Sequence, residues 1–289
     1  MSVAVVMAAA SLLLPSSATA QEAGSERDLH WLPDRDLLPT PTTGPRDPVS
    51  KAELLYVSEN PTQFGAGMEA EFALAALFPL LRWGEAETAQ VGRKDWVVGV
   101  EAAAFARFGL HRTERELVNT DWFFTIPLVR WMGPHWARVR YYHTSSHLGD
   151  EYARRFEAES VNFARDAVDA LGWFQAAERL GIYAGAGWAF NVHPEDSKRS
   201  WLRLGLEWGA PGPASTPTTG WRPFAAADVN LEQDVGWSPR WSGQVGLQAP
   251  PMPGGSIRVF LGVLSGPTPL GQFQGGRTRH VSLGLSYAP

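Results

Sequence analysis

From Phe64 onward the side chains change character at every second residue, in one stretch after another. Leu202, Leu204, Leu206 and Trp208 alternate with Arg203, Gly205 and Glu207. Ile182, Ala184, Ala186, Trp188 and Phe190 lie opposite Tyr183, Gly185, Gly187 and Asn191. Trp96, Val98, Val100, Ala102, Ala104, Ala106 and Phe108 share a side, with Glu101 and Arg107 on the other. Val281, Leu283, Leu285 and Tyr287 repeat the pattern close to the C-terminal end of the sequence. A period of two belongs to a β-strand, whose successive side chains point to opposite faces. Turn-rich gaps, notably 211–220 and 250–255, separate the stretches. The chain therefore reads as all-β and antiparallel.

A strand with one apolar face and one polar or glycine face suits two settings. In a soluble sandwich the apolar face is the core. In a transmembrane barrel it meets lipid and the polar face lines the lumen. Residues 1–20 favour the second setting. Val3 to Leu14 is a short apolar run and Ala18-Thr19-Ala20 a small-x-small cleavage site, as in a secretory signal peptide. The absence of cysteine excludes a disulfide scaffold, a cysteine zinc site and a thiol nucleophile. A net charge of -5 argues against nucleic acid as a partner. Trp83, Trp96, Trp131, Trp136, Trp201 and Trp208 fall near strand ends, where an aromatic girdle belongs.

At about 22 residues per strand, the predicted fold is a closed antiparallel outer-membrane β-barrel of roughly twelve strands, within a range of about 10–14. An extended, proline-rich periplasmic arm over 21–60 precedes a barrel over 61–289. The stretch 157–177 fits a strand near Val161 followed by a short helix, or two strands around a loop. The expected location is the outer membrane, with the periplasm as the alternative. The expected partners are membrane lipids, lipopolysaccharide among them; no oligomeric state is implied.

Chemistry concentrates in Tyr141-Tyr142-His143-Thr144-Ser145-Ser146-His147-Leu148-Gly149-Asp150-Glu151-Tyr152, where a strand runs into a loop. The part from His143 to Tyr152 resembles the hallmark block of an uncharacterised bacterial family, domain of unknown function 1207. Upstream, Gly44-Pro45-Arg46-Asp47-Pro48 is similar to that family's Asp-Pro-Arg-x-Pro segment, with Gly-Pro in place of Asp-Pro. The resemblance implies an exported, outer-membrane protein and carries no activity with it.

Three roles fit the block. In the first, it organises a polar barrel interior or a strand end: Asp150 and Glu151 pair with inward arginines such as Arg138, Arg140 or Arg154, while Ser145, Ser146 and His147 satisfy backbone groups near Gly149. That makes the protein a structural or transport-like barrel. In the second, His143 and Ser145 form a catalytic pair, since residues two apart on a strand share a face. His-x-Ser resembles the motif of outer-membrane phospholipase A and lipid A deacylase, which continue with Asn where Ser146 stands here. That resemblance implies a lipid esterase, with calcium as its possible cofactor. The alternation of Ala137, Val139 and Tyr141 places His143 and Ser145 on the outward face. The third group that such a pair needs would be Asn162 or Asp150, although the parity of Asn162, Ala164 and Asp166 reads as inward. In the third, His143, His147, Asp150 and Glu151 hold a metal ion, which requires the chain to fold back at Ser145-Ser146. No metal or other cofactor is assigned on these residues alone.

Overall fold

Twelve of the alternating stretches hydrogen-bond side by side into a closed ring. The computed structural model describes residues 27–33, 37–85, 94–111, 115–209, 220–250, 252 and 255–288. The expected signal peptide, 1–20, lies outside them. Among the described residues the strands are β1 (Arg27–Trp31), β2 (Ser50–Glu59), β3 (Gly67–Glu85), β4 (Trp96–Gly109), β5 (Leu117–Met132), β6 (His135–Leu148), β7 (Phe163–Ala177), β8 (Leu180–His193), β9 (Ser200–Trp208), β10 (Arg222–Glu232), β11 (Pro239–Gln248), β12 (Ser256–Pro267) and β13 (Arg277–Ala288). Each of β2 to β13 pairs antiparallel with its sequence neighbours, and β13 pairs back onto β2. A ring leaves no exposed edge, which lipid would penalise heavily.

The expected twelve-strand barrel is thus present, but it begins earlier than residue 61. β2, within the stretch assigned to the arm, is a full member of the ring. It covers β3 only from Gly67 to Ala73; further along the same edge of β3, β1 pairs Trp31 with Leu81. Residues 37–49, ahead of β2, run through the lumen. Leu37, Leu38, Thr43, Asp47 and Val49 are buried there. The arm is therefore an internal plug. Its prolines and glycine give up few backbone hydrogen bonds by leaving the wall.

The two faces of the wall sort as a membrane requires. Leu74, Leu204, Val245, Leu261 and Leu283 are exposed on the outside, Leu74 at 76%. A continuous apolar exterior of this kind is stable against lipid and not against water. Glu69, Glu101, Arg107, Arg138 and Asp228 are buried inside. Some tryptophans depart from the expected girdle. Trp83 and Trp208 face outward, whereas Trp131 and Trp136 turn inward and seal the lumen with Leu37, Leu38, Leu171 and Trp173. Trp201 packs on Tyr142 inside the barrel. The stretch 157–177 also differs from expectation: a helix, α1 (Asp150–Phe156), precedes it, and one long strand, β7, fills most of it.

Candidate functional site

β6 carries the block and divides it by parity. Tyr142, Thr144 and Ser146 point into the lumen, and His143 and Ser145 point outward, as the alternation predicts. Across the ladder His143 lies opposite Asp166 of β7, and Ser145 opposite Ala164. His143 Nδ1 is 2.9 Å from Asp166 Oδ1. A carboxylate only accepts hydrogen bonds, so Nδ1 carries a proton, and in the neutral ring Nε2 keeps its lone pair. Asp166 takes two further donors: Tyr141 Oη at 2.8 Å and Asn191 Nδ2 at 2.8 Å. The carboxylate is therefore held from three sides on a lipid-facing wall.

Asn191 reaches this position through a bulge. Asp166 pairs with Asn191 while Ala167 pairs with Ala189, so Phe190 is an extra residue in β8. The bulge turns both Phe190 and Asn191 outward, against the inward parity read for Asn191. Phe190 then stacks on Tyr141, with centroids 6.2 Å apart. Phe124 and Trp122 of β5 stand beside His143 and Ser145 on the other flank. Both are about half exposed and place the pair at the level of an aromatic girdle.

Ser145 Oγ makes no hydrogen bond among those of the described residues, and its neighbour Ser146 donates instead to Asn119 Oδ1 in the lumen. Residues two apart on a strand are separated by about 6.8 Å at Cα. That spacing leaves the hydroxyl on the same face as the imidazole, and such pairs often close only when substrate binds.

The third group predicted for the pair is not the one found. Asp150 is exposed at the start of α1, and Asn162 is exposed in the loop before β7. Asp166, whose parity was read as inward, is the carboxylate that meets His143. Phe163 and Arg165 instead face inward, with the Arg165 guanidinium 5.2 Å from the Phe163 ring. One sign of this was available. Asp166 and Asp169 are three residues apart, so on a regular strand they cannot both face the lumen.

The remaining block residues build the loop end of the barrel. Gly149 leads into α1, and a Cβ there would sit 1.9 Å from Leu117 O. Tyr152, almost fully buried, packs against Phe64, Phe156 and Phe273, and its hydroxyl accepts Gln63 N–H at 2.8 Å. Burial raises the pKa of that phenol above the usual tyrosine value. Gln272 ties the turn before β13 to Ser146 O at 2.7 Å. Glu151 pairs only weakly with Arg154, 3.9 Å away on the helix surface. Asp150 and Glu151 therefore do not meet the inward arginines. The metal set is not assembled either: His143 and His147 stay on extended backbone, and the described residues hold no metal-binding group of three His, Asp or Glu.

Arg138 and Arg140 do face the lumen. Arg140 pairs with Asp169 at 2.9 Å, whereas Arg138 reaches Pro39 O of the arm at 3.4 Å. The arm supplies partners that no pattern in the sequence pointed to. Arg46 bridges Asp121 (2.8 Å) and Glu71 (3.2 Å), and Asp47 meets Arg203, which also holds Asp228 at 2.6 Å. Thr42 N–H donates to Glu207. His280 is buried on the inner face of β13. Between the arm and the loop end remains a cavity of about 150 Å³ lined by Tyr142, Arg165, Trp201 and Asn230.

A model of the family described as "Protein of unknown function (DUF1207)" matches residues 52–288. No curated protein matches the chain. Among solved structures, the calcium-bound dimer of the Salmonella typhi outer membrane phospholipase is similar, with 12% identity and a TM-score of 0.55 over 83% of this chain and 90% of that one. Outer membrane phospholipase A from Escherichia coli gives 12% identity and a TM-score of 0.54 over the same shares. The KdgM porin aligns over 83% of this chain and 99% of its own, at 8% identity and a TM-score of 0.45. At these identities the likeness to the phospholipases is one of fold.

Proposed function

The chain belongs to the DUF1207 family, and we propose that it is an outer-membrane lipid esterase. Ser145 is the nucleophile, His143 its general base and Asp166 the group that holds the base. The observation that carries this reading is the 2.9 Å contact between His143 and Asp166 on the outer wall, with Ser145 on the same face of the same strand. A carboxylate and an imidazole facing lipid are costly unless they serve a purpose. A hydrolase acting on lipid esters needs its machinery there.

In the proposed reaction Ser145 Oγ attacks the ester carbonyl while its proton passes to His143 Nε2. Asp166 fixes the ring orientation and offsets the charge that develops on the imidazolium. His143 then returns the proton to the departing alcohol, and water releases the acid by the reverse sequence. Trp122, Phe124 and Phe190 around the pair support a position near the depth of lipid ester linkages. Membrane lipids are the substrates in this reading, and calcium is included in the assay.

The filled lumen supports the same choice against transport. The arm and its ion pairs occupy the interior, and the 150 Å³ cavity holds roughly ten waters at most. We read the inner network as the rigid scaffold of the outer site. A structural barrel is the second reading, favoured by the unengaged Ser145 hydroxyl. The test is fatty-acid release from phospholipid or lipid A by the purified protein with calcium. Release that vanishes in Ser145→Ala and His143→Ala supports the esterase. An intact barrel that releases nothing leaves the structural reading.

A further inference from the structure

A serine esterase also needs donors for the negative charge on the carbonyl oxygen in the tetrahedral intermediate. Backbone amides, the usual source, are not free at Ser145. β6 is paired on both sides here, to Trp122 of β5 and to Ala164 of β7, so its amides are committed to the ladder. The outward side chains of the neighbourhood are largely committed as well. Tyr141 and Asn191 both donate to Asp166.

The register across the wall shows what remains. Trp122, Ser145, Ala164 and His193 form one row on four successive strands. Trp122 walls off one side of Ser145. On the other side Ala164 is a low floor, and beyond it stands His193, partly buried, with no hydrogen bond to its ring among those of the described residues. Two inter-strand spacings, about 9.6 Å, separate the backbones of Ser145 and His193. Ala164, between them in the row, leaves space over which an acyl carbonyl on Ser145 and the His193 imidazole could meet. His147 is exposed and lies further along β6, opposite Thr120.

Resting on the esterase reading above, we propose that His193 is a catalytic residue that donates an N–H to the oxyanion, and that Ala164 is the floor beneath that oxygen. When Ser145 Oγ bonds to the carbonyl carbon, its proton goes to His143 and the C=O π pair moves onto oxygen, where His193 receives it. On collapse the C=O re-forms, the ester C–O bond breaks and the alcohol leaves with the proton from His143. Water repeats the sequence on the acyl-serine.

The test uses a p-nitrophenyl ester in detergent with the full-length protein, with heat-modifiable gel migration as the check on folding. His193→Ala is expected to lower kcat about 10²–10³-fold with little change in KM. His193→Gln keeps an N–H donor and recovers part of the loss. Ala164→Leu fills the floor and lowers kcat with His193 in place, while His147→Ala stays near wild type. If His193→Ala retains wild-type kcat while Ser145→Ala is inactive, the inference fails and the esterase reading stands. A wild-type barrel that cleaves no ester overturns both.

Discussion

His143 Nδ1 and Asp166 Oδ1 meet across β6 and β7, 2.9 Å apart, on the face of the barrel that looks toward lipid. The pair is 43% and 20% exposed at its side chains, so it is neither part of the lumen nor free in solvent. Three donors converge on one carboxylate there, which is more organisation than a chance polar residue on an apolar wall receives.

Asp166→Asn removes the negative charge and lets an amide N–H face Nδ1, so the imidazole tautomer is no longer fixed. Esterase activity is expected to fall about 10²–10⁴-fold with the barrel intact. Ester hydrolysis measured beside heat-modifiable migration checks this. Unchanged turnover in a folded variant removes Asp166 from the site.

Arg46→Ala strips one cation from Asp121 and Glu71 inside the lumen. Breaking a buried pair from one side costs about 3–5 kcal/mol. The variant should lose its folded gel form at lower urea or temperature than the wild type. Equal resistance means that the arm contributes nothing to barrel stability.

Gly149→Val places side-chain carbon against Leu117 O, where even a Cβ would sit 1.9 Å away. The entry to α1 must shift, and with it Tyr152 and its aromatic neighbours. Faster protease cleavage within 149–162, with the strands still protected, is the expected result.

Leu204→Arg tests the direction of the wall. An arginine on the lipid face near mid-bilayer costs about 2–4 kcal/mol, whereas at a solvated position it costs little. Unfolding titrations in bilayers of Leu204→Arg against Leu204→Ala separate these cases.

Much of the barrel was legible because a period of two is a backbone property that local sequence reports directly. The alternation from Leu202 to Trp208 and from Trp96 to Phe108 assigns faces that the structure keeps. The same parity placed His143 and Ser145 outside and Arg138 and Arg140 inside. What stayed hidden depends on distant pairing. Asp166 was assigned to the lumen because it shares parity with Asn162 and Ala164, and only its register with His143 shows the outward position. Asn191 turns outward through a bulge that leaves no mark in the alternation of β8. Arg46 and Asp47 belong to a segment without periodicity, so nothing local shows that they enter the barrel and pair with Asp121 and Arg203.

The most direct measurement is labelling with a lipophilic fluorophosphonate in detergent, followed by peptide mass spectrometry. The predicted result is a single adduct on Ser145 that is lost in His143→Ala while both proteins migrate as folded barrels. A folded wild-type barrel that takes no label at Ser145, or takes it equally without His143, contradicts a nucleophile on the outer wall.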